Sequence, residues 1–278
     1  MTMKMFRRST ITPKKSRRFS FGLSKRKKFV LIAFTLSIGV LLIQSSPLGY
    51  RYYFIGVLTL LTSLFSGLAL KDDMKKIGWV MALILPAFFT VSVNLFYFLL
   101  PENLIVRLVL VSLFAIGMYA LLLTENIFVV ASLRTIQLFR AAQALGFVFT
   151  LLVAFLMFDS VFSFRLDPWI NALLVMVTSF PLLLQAVWSC KLEDYISRDV
   201  LQYTLALTFI LAQFAFFVSF WPMTIIMASL LLVSMMYVGL GIVQQAMIGR
   251  LFKKTIYEYL RVGFVVLVIV LISTQWGA

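Results

Sequence analysis

From Phe29 to Trp276 the sequence is a succession of apolar runs, and that repetition constrains the fold more than any other feature. A helix rises about 1.5 Å per residue, so about 20 apolar residues cross a hydrocarbon layer of roughly 30 Å. Runs of this kind occupy 29–46, 52–70, 77–100, 105–123, 141–158, 168–190, 200–220, 223–248 and 262–276, and Arg107 is the one charged residue within them. They are apolar on every face, whereas the strands of a membrane barrel alternate in polarity. The predicted fold class is an all-α integral membrane protein, a polytopic bundle of about nine transmembrane helices. Eight helices are the alternative, because the first, fifth and last runs are the shortest.

Composition excludes a water-soluble domain. Of the 278 residues, 62% are hydrophobic and 13% charged, with a mean hydropathy of +1.03. Soluble domains average about 45–50% apolar and about 25% charged residues. His is absent and Cys190 is the only cysteine, which removes disulfide frameworks and Cys/His metal sites. No cofactor is expected.

The net charge of +15 is distributed unevenly. Eleven of the 25 basic residues fall in 1–28, a segment without acids or amphipathic period, so a disordered basic tail is predicted there. With the N-terminus cytoplasmic, 22 basic residues lie on the inner side and only Arg51, Arg107 and Arg165 on the outer side. That asymmetry predicts N-terminus in and C-terminus out. Trp79 and Trp188 then fall at inner helix ends, and Trp169, Trp221 and Trp276 at outer ones, at the headgroup level that indole rings prefer. The tail lacks an aromatic platform for nucleic acid and is followed by no small-residue cleavage site. Its expected partner is the bilayer, with Arg17, Arg18, Lys25, Arg26, Lys27 and Lys28 resting on anionic lipid.

Within the apolar runs, neutral polar residues recur at helical spacing. Thr90, Asn94 and Tyr97 follow Pro86 on one stripe, and Asn171, Thr178 and Gln185 are seven apart on another. Thr204, Thr208, Ala212, Ala215 and Ser219 make a small, polar face in the seventh run, with Gln213 beside it. The bland reading is interhelical packing glue. The sharper one is an outward-opening neutral pocket in which Asn94, Thr90, Asn171, Thr178 and Gln213 meet. All ten acids are expected in loops or at helix ends, leaving no ionisable residue inside the membrane.

Paired acids at Asp72-Asp73 and Glu193-Asp194 lack the repeated aspartate spacing of lipid transferases, and Cys190 has no His partner. An enzyme is therefore not expected. Residues 124–140 and 249–261 read as inner connections able to anchor at the interface or dock membrane-protein partners. The leading expectation is a non-catalytic subunit or scaffold of a membrane assembly. A carrier or flippase for a lipidic or neutral small solute comes second, and a membrane enzyme acting on lipid third. Short loops, a basic inner face and one Cys fit a bacterial cytoplasmic membrane, with an organellar inner membrane as the alternative.

Overall fold

The computed structural model describes residues 24–70, 78–131 and 138–274, and every regular element among them is a helix. In chain order these are α1 (Lys25–Ser45), α2 (Leu48–Leu70), α3 (Gly78–Tyr97), α4 (Leu104–Ala131), α5 (Phe139–Ser163), α6 (Pro168–Trp188), α7 (Arg198–Val218), α8 (Ile225–Met247) and α9 (Lys253–Ser273). Each is long and apolar enough to cross a membrane, which is compatible with an integral membrane location.

The helices form two adjoining rings of four. In the first, α1–α2, α2–α3, α3–α4 and α1–α4 pack pairwise. In the second, α5–α6, α6–α7, α7–α8 and α5–α8 repeat the arrangement, and α3 and α4 join it through α5 and α6. The α6–α7 pair is the most extensive. There the small, polar face of α7 turns inward, burying Thr204, Thr208 and Ala215. Small residues let backbones approach, the main source of helix affinity where lipid is as apolar as leucine.

The α9 helix lies outside both rings and packs on α8, with Gly263 and Val270 its buried residues. The contact relies on glycine: a Cβ on Gly241 would strike the ring of Tyr259, and one on Gly263 would meet Val238.

Several boundaries differ from expectation, and each has a physical reason. Helix α1 starts at Lys25, so Lys25, Arg26, Lys27 and Lys28 are helical rather than part of a tail. Lys and Arg are good helix formers, and Ser24 accepts the first backbone bond from Lys28 N at 3.2 Å. Arg17 and Arg18, with the rest of 1–23, lie outside the described residues.

Helix α4 continues through 124–131, because Thr124-Glu125-Asn126 contains neither Gly nor Pro and Ile127 to Val130 extend its apolar face. Helix α5 likewise runs past Phe158 to Ser163. Consequently Glu125 and Asp159 are buried helical residues, at 1% and 2% exposure, and the expectation that every acid sits in a loop or at a helix end is corrected. Helix α9 begins at Lys253, which converts most of the connection 249–261 into helix. Of the connection 124–140, residues 132–137 lie outside the described residues, as does the acidic pair Asp72-Asp73.

The two ends of the bundle differ. Lys25–Lys28, Glu125, Gln185 and Lys191 mark one, called here the basic end. Arg51, Glu102, Asp159 and Asn171 mark the far end.

Candidate functional site

The residues singled out by spacing divide between the two rings. In the first ring the Thr90 hydroxyl lies 3.1 Å from that of Thr62 on α2 and donates to Pro86 O at 3.0 Å. Asn94 Nδ2 donates to Thr90 O at 2.7 Å, while its buried Oδ1 has no partner among the described residues. In the second ring Asn171 Nδ2 donates to Ser219 Oγ, just past the end of α7, at 3.2 Å and to Leu166 O at 3.1 Å. Thr178 bonds back to Leu174 O at 2.8 Å. Gln213 is exposed, in an apolar surface groove with Trp169, Phe209 and Phe216. Asn94 and Thr90 thus stay together, while Asn171 is bonded within a different helix pair and Gln213 faces away from the core.

At the far end of the second ring, α5 to α8 enclose an open cleft of about 520 Å³. Arg165, Asn171, Ser219, Trp221 and Thr224 supply its polar lining, and Phe162 one apolar wall. Arg165 adopts the left-handed region with φ of 49°, a conformation that strains a non-glycine residue and recurs at functional sites. The Oδ1 of Asn171 is buried without a partner among the described residues. Nearby, Ser229 on α8 donates to Asp159 Oδ1 at 3.3 Å.

At the basic end, α4, α5, α6 and α8 bring together a polar cluster that spacing alone did not assemble. Gln185 Nε2 and Glu125 Oε1 are 2.5 Å apart. Gln143 Nε2 donates to Ser189 O at 3.4 Å and Gln244 Nε2 to Ala186 O at 3.2 Å. Glu125 Oε2 and Gln185 Oε1 are buried without partners among the described residues. Gln185 was visible as the third member of the Asn171 stripe, but Glu125 was assigned to a loop. The only available signal was the absence of a helix breaker between Leu123 and Ala131.

Cys190 lies just past the end of α6 with Sγ 3.7 Å from Ala186 O. Burial pushes its thiol up to about 12 against the opposing pull of Lys191, so at neutral pH it is a poor nucleophile.

Two of the three arginines counted on the predicted outer side have structural work. Arg51 donates to Ser46 O at 2.8 Å and pairs with Glu102 at 3.1 Å. Arg107 donates to Gln44 O at 3.2 Å. Together they satisfy carbonyls at and just past the C-terminal end of α1, the groups a helix leaves unbonded. Arg165 on the cleft is the remaining one.

A family model described as "Protein of unknown function (DUF5656)" matches residues 31–273, from the second turn of α1 to the last residue of α9. The chain belongs to the DUF5656 family. The match spans both rings and α9, so the buried acids and the α6 stripe all lie within the body that defines DUF5656. No curated protein and no solved structure matches the chain.

Proposed function

We propose that this DUF5656 protein is a carrier or flippase for a lipidic solute, working through the second ring. The observation that carries the reading is the polar stripe of α6. It starts at Asn171 in the far-end cleft, passes Thr178 and ends about 21 Å away at Gln185 in the basic-end cluster, at 1.5 Å per residue. Both terminal amides keep a buried oxygen without a partner among the described residues. Packing glue gives no reason for such atoms, since buried polar groups normally find partners. A path on which a polar headgroup replaces the missing bonds does. The amphipathic character comes from the ends of α6 and α7, which carry both the polar cleft around Asn171 and the apolar groove around Gln213.

Orientation follows the charge asymmetry, with the basic end cytoplasmic and the cleft outside. Composition and topology favour a bacterial cytoplasmic membrane. Lys25, Arg26, Lys27 and Lys28 then sit at the level of anionic headgroups.

The test uses the full-length chain in phosphatidylcholine–phosphatidylglycerol vesicles with a headgroup-labelled fluorescent phospholipid whose inner-leaflet fraction is protected from an added reductant. The wild-type chain is expected to abolish that protection. Asn171→Ala and Gln185→Leu are expected to slow loss of protection about tenfold or more, the equivalent of one hydrogen bond to a polar group, while the protein still inserts. Protection equal to that of empty vesicles overturns the reading for phospholipid.

The exposed flank of α9, with Phe264, Val265, Ile269 and Ile272 outward, favours a second reading as the subunit of a membrane assembly. A stoichiometric protein partner on purification in mild detergent, lost when α9 is altered, would select it.

A further inference from the structure

We propose that Glu125 is a proton-binding site, and that the protonated acid bonded to Gln185 holds α4 against α6 at the basic end. As a coupling device this rests on the carrier reading. As a site it rests on geometry.

Glu125 is buried, with Oε1 on Gln185 and Oε2 without a partner among the described residues. Among the described residues, the elements packed around it bring no counter-charge. On α4 the one arginine, Arg107, lies at the far end, and α3 contains no charged residue. On α5, Arg140 is exposed and Gln143 is committed to Ser189 O. Beyond α6, Lys191 pairs with Asp199 at 3.6 Å. On α8, Gln244 is committed to Ala186 O. Lys25, Arg26, Lys27 and Lys28 lie at the same end on α1, and no described base forms an ion pair with Glu125. An ionised carboxylate there is a buried charge without compensation, which proteins avoid.

Space narrows the occupant further. The cavity against Gln185, Ser189 and Gln244 measures about 10 Å³, the least that admits one water. In this closed arrangement a hydrated cation or a solute does not fit, and a proton needs no room. Gln185 Nε2 donates to Glu125 Oε1, and the proton is carried on Oε2, which is buried without a partner among the described residues.

Loss of that proton would leave a buried charge without compensation, so it requires that Gln185 withdraw or that water enter between α4 and α6. Proton binding and closure of the basic end are reciprocally linked. Acid pH favours the closed arrangement and alkaline pH favours its opening.

Two readouts on the full-length chain in vesicles test this without any transported solute. The first is the infrared carbonyl stretch of a protonated carboxylic acid at neutral pH. The second is alkylation of the single Cys190, five residues beyond Gln185, by a membrane-permeant maleimide across a pH series. Thiolate supply alone raises that rate about tenfold per pH unit. The wild-type chain is expected to show the acid band and a steeper rise, as opening adds to thiolate supply. Glu125→Gln, which preserves a neutral partner for Gln185, is expected to lose the band and return to the tenfold slope. Gln185→Leu keeps the proton but removes the lock, so it retains the band and labels faster than wild type at every pH. Absence of a band that Glu125→Gln removes overturns the proton site. Equal slopes in wild type and Glu125→Gln, or wild-type labelling in Gln185→Leu, overturn the lock. Phospholipid movement tests only the carrier reading, so the two fail separately.

Discussion

Ser229 on α8 places its hydroxyl 3.3 Å from Asp159 Oδ1 on α5, a donor it shares with Ile225 O at 2.9 Å. Removing the hydroxyl leaves Asp159 Oδ1 buried without it, a loss of about 1–3 kcal/mol for a buried acceptor deprived of its donor. Ser229→Ala is therefore expected to lower stability by that amount, while Asp159→Asn, which keeps the Ser229 bond, costs less. Unfolding titrations in mixed micelles check the order. Cys190 supports a pH prediction of its own. With its thiol pushed up to about 12, thiolate is scarce at neutral pH and becomes plentiful only as pH climbs towards that value. Maleimide labelling at pH 7 is expected to be far slower than for an exposed cysteine, and equal rates would contradict the burial. At this scale spacing was a partial guide. It placed Thr90 beside Asn94 and Gln185 on the Asn171 stripe. It left Glu125 apart from Gln185, because pairing across 60 residues depends on helix rotation and register.

At the scale of elements, the interfaces with least tolerance are those where glycine faces an aromatic ring. Gly241 on α8 lies under Tyr259 of α9, and Gly146 on α5 faces Phe128 of α4, whose ring would sit 3.1 Å from an added Cβ. Because α8 is the one helix against which α9 packs extensively among the described residues, displacement of Tyr259 weakens its main interface. Gly241→Leu is expected to cost about 1–3 kcal/mol through overpacking and to expose the α8–α9 connection to proteolysis. The same change on α5, Gly146→Leu, strains a helix held by four others and is expected to lower the yield of folded protein. Unchanged protease resistance in Gly241→Leu would show that α9 is held by something other than this contact. Existence of the elements was legible because length and apolar content are local properties. Their ends were less so: polar residues such as Glu125 and Lys253 read as loop, yet a helix keeps its backbone bonded at a membrane boundary and continues until a breaker or a turn stops it.

For the whole molecule, the arrangement in two rings could not be read from the chain. Lipid-facing and buried faces are equally apolar in such a sequence, so periodicity carries little about which helix meets which. The charge pattern is better information about the molecule as a unit. Lys25–Lys28, Lys191, Arg198 and Lys253 collect at one end, whereas at the other Arg51 and Arg107 are engaged with carbonyls near the end of α1. Far-end arginines with structural partners leave the excess of exposed cations at the basic end, the asymmetry on which the proposed orientation rests. Asp167 at the far end and Tyr195 at the basic end are both exposed and lie in adjacent connections, before and after α6. Single cysteines at these positions, read against the slow native Cys190, report sidedness directly. In intact cells a membrane-impermeant maleimide is expected to label Asp167→Cys and to reach Tyr195→Cys only after permeabilisation. The opposite pattern would invert the protein and place the Asn171 cleft on the cytoplasmic side. The Glu125 site would then face outward, and a carrier built on this ring would take up its lipid from the leaflet opposite to the one argued above.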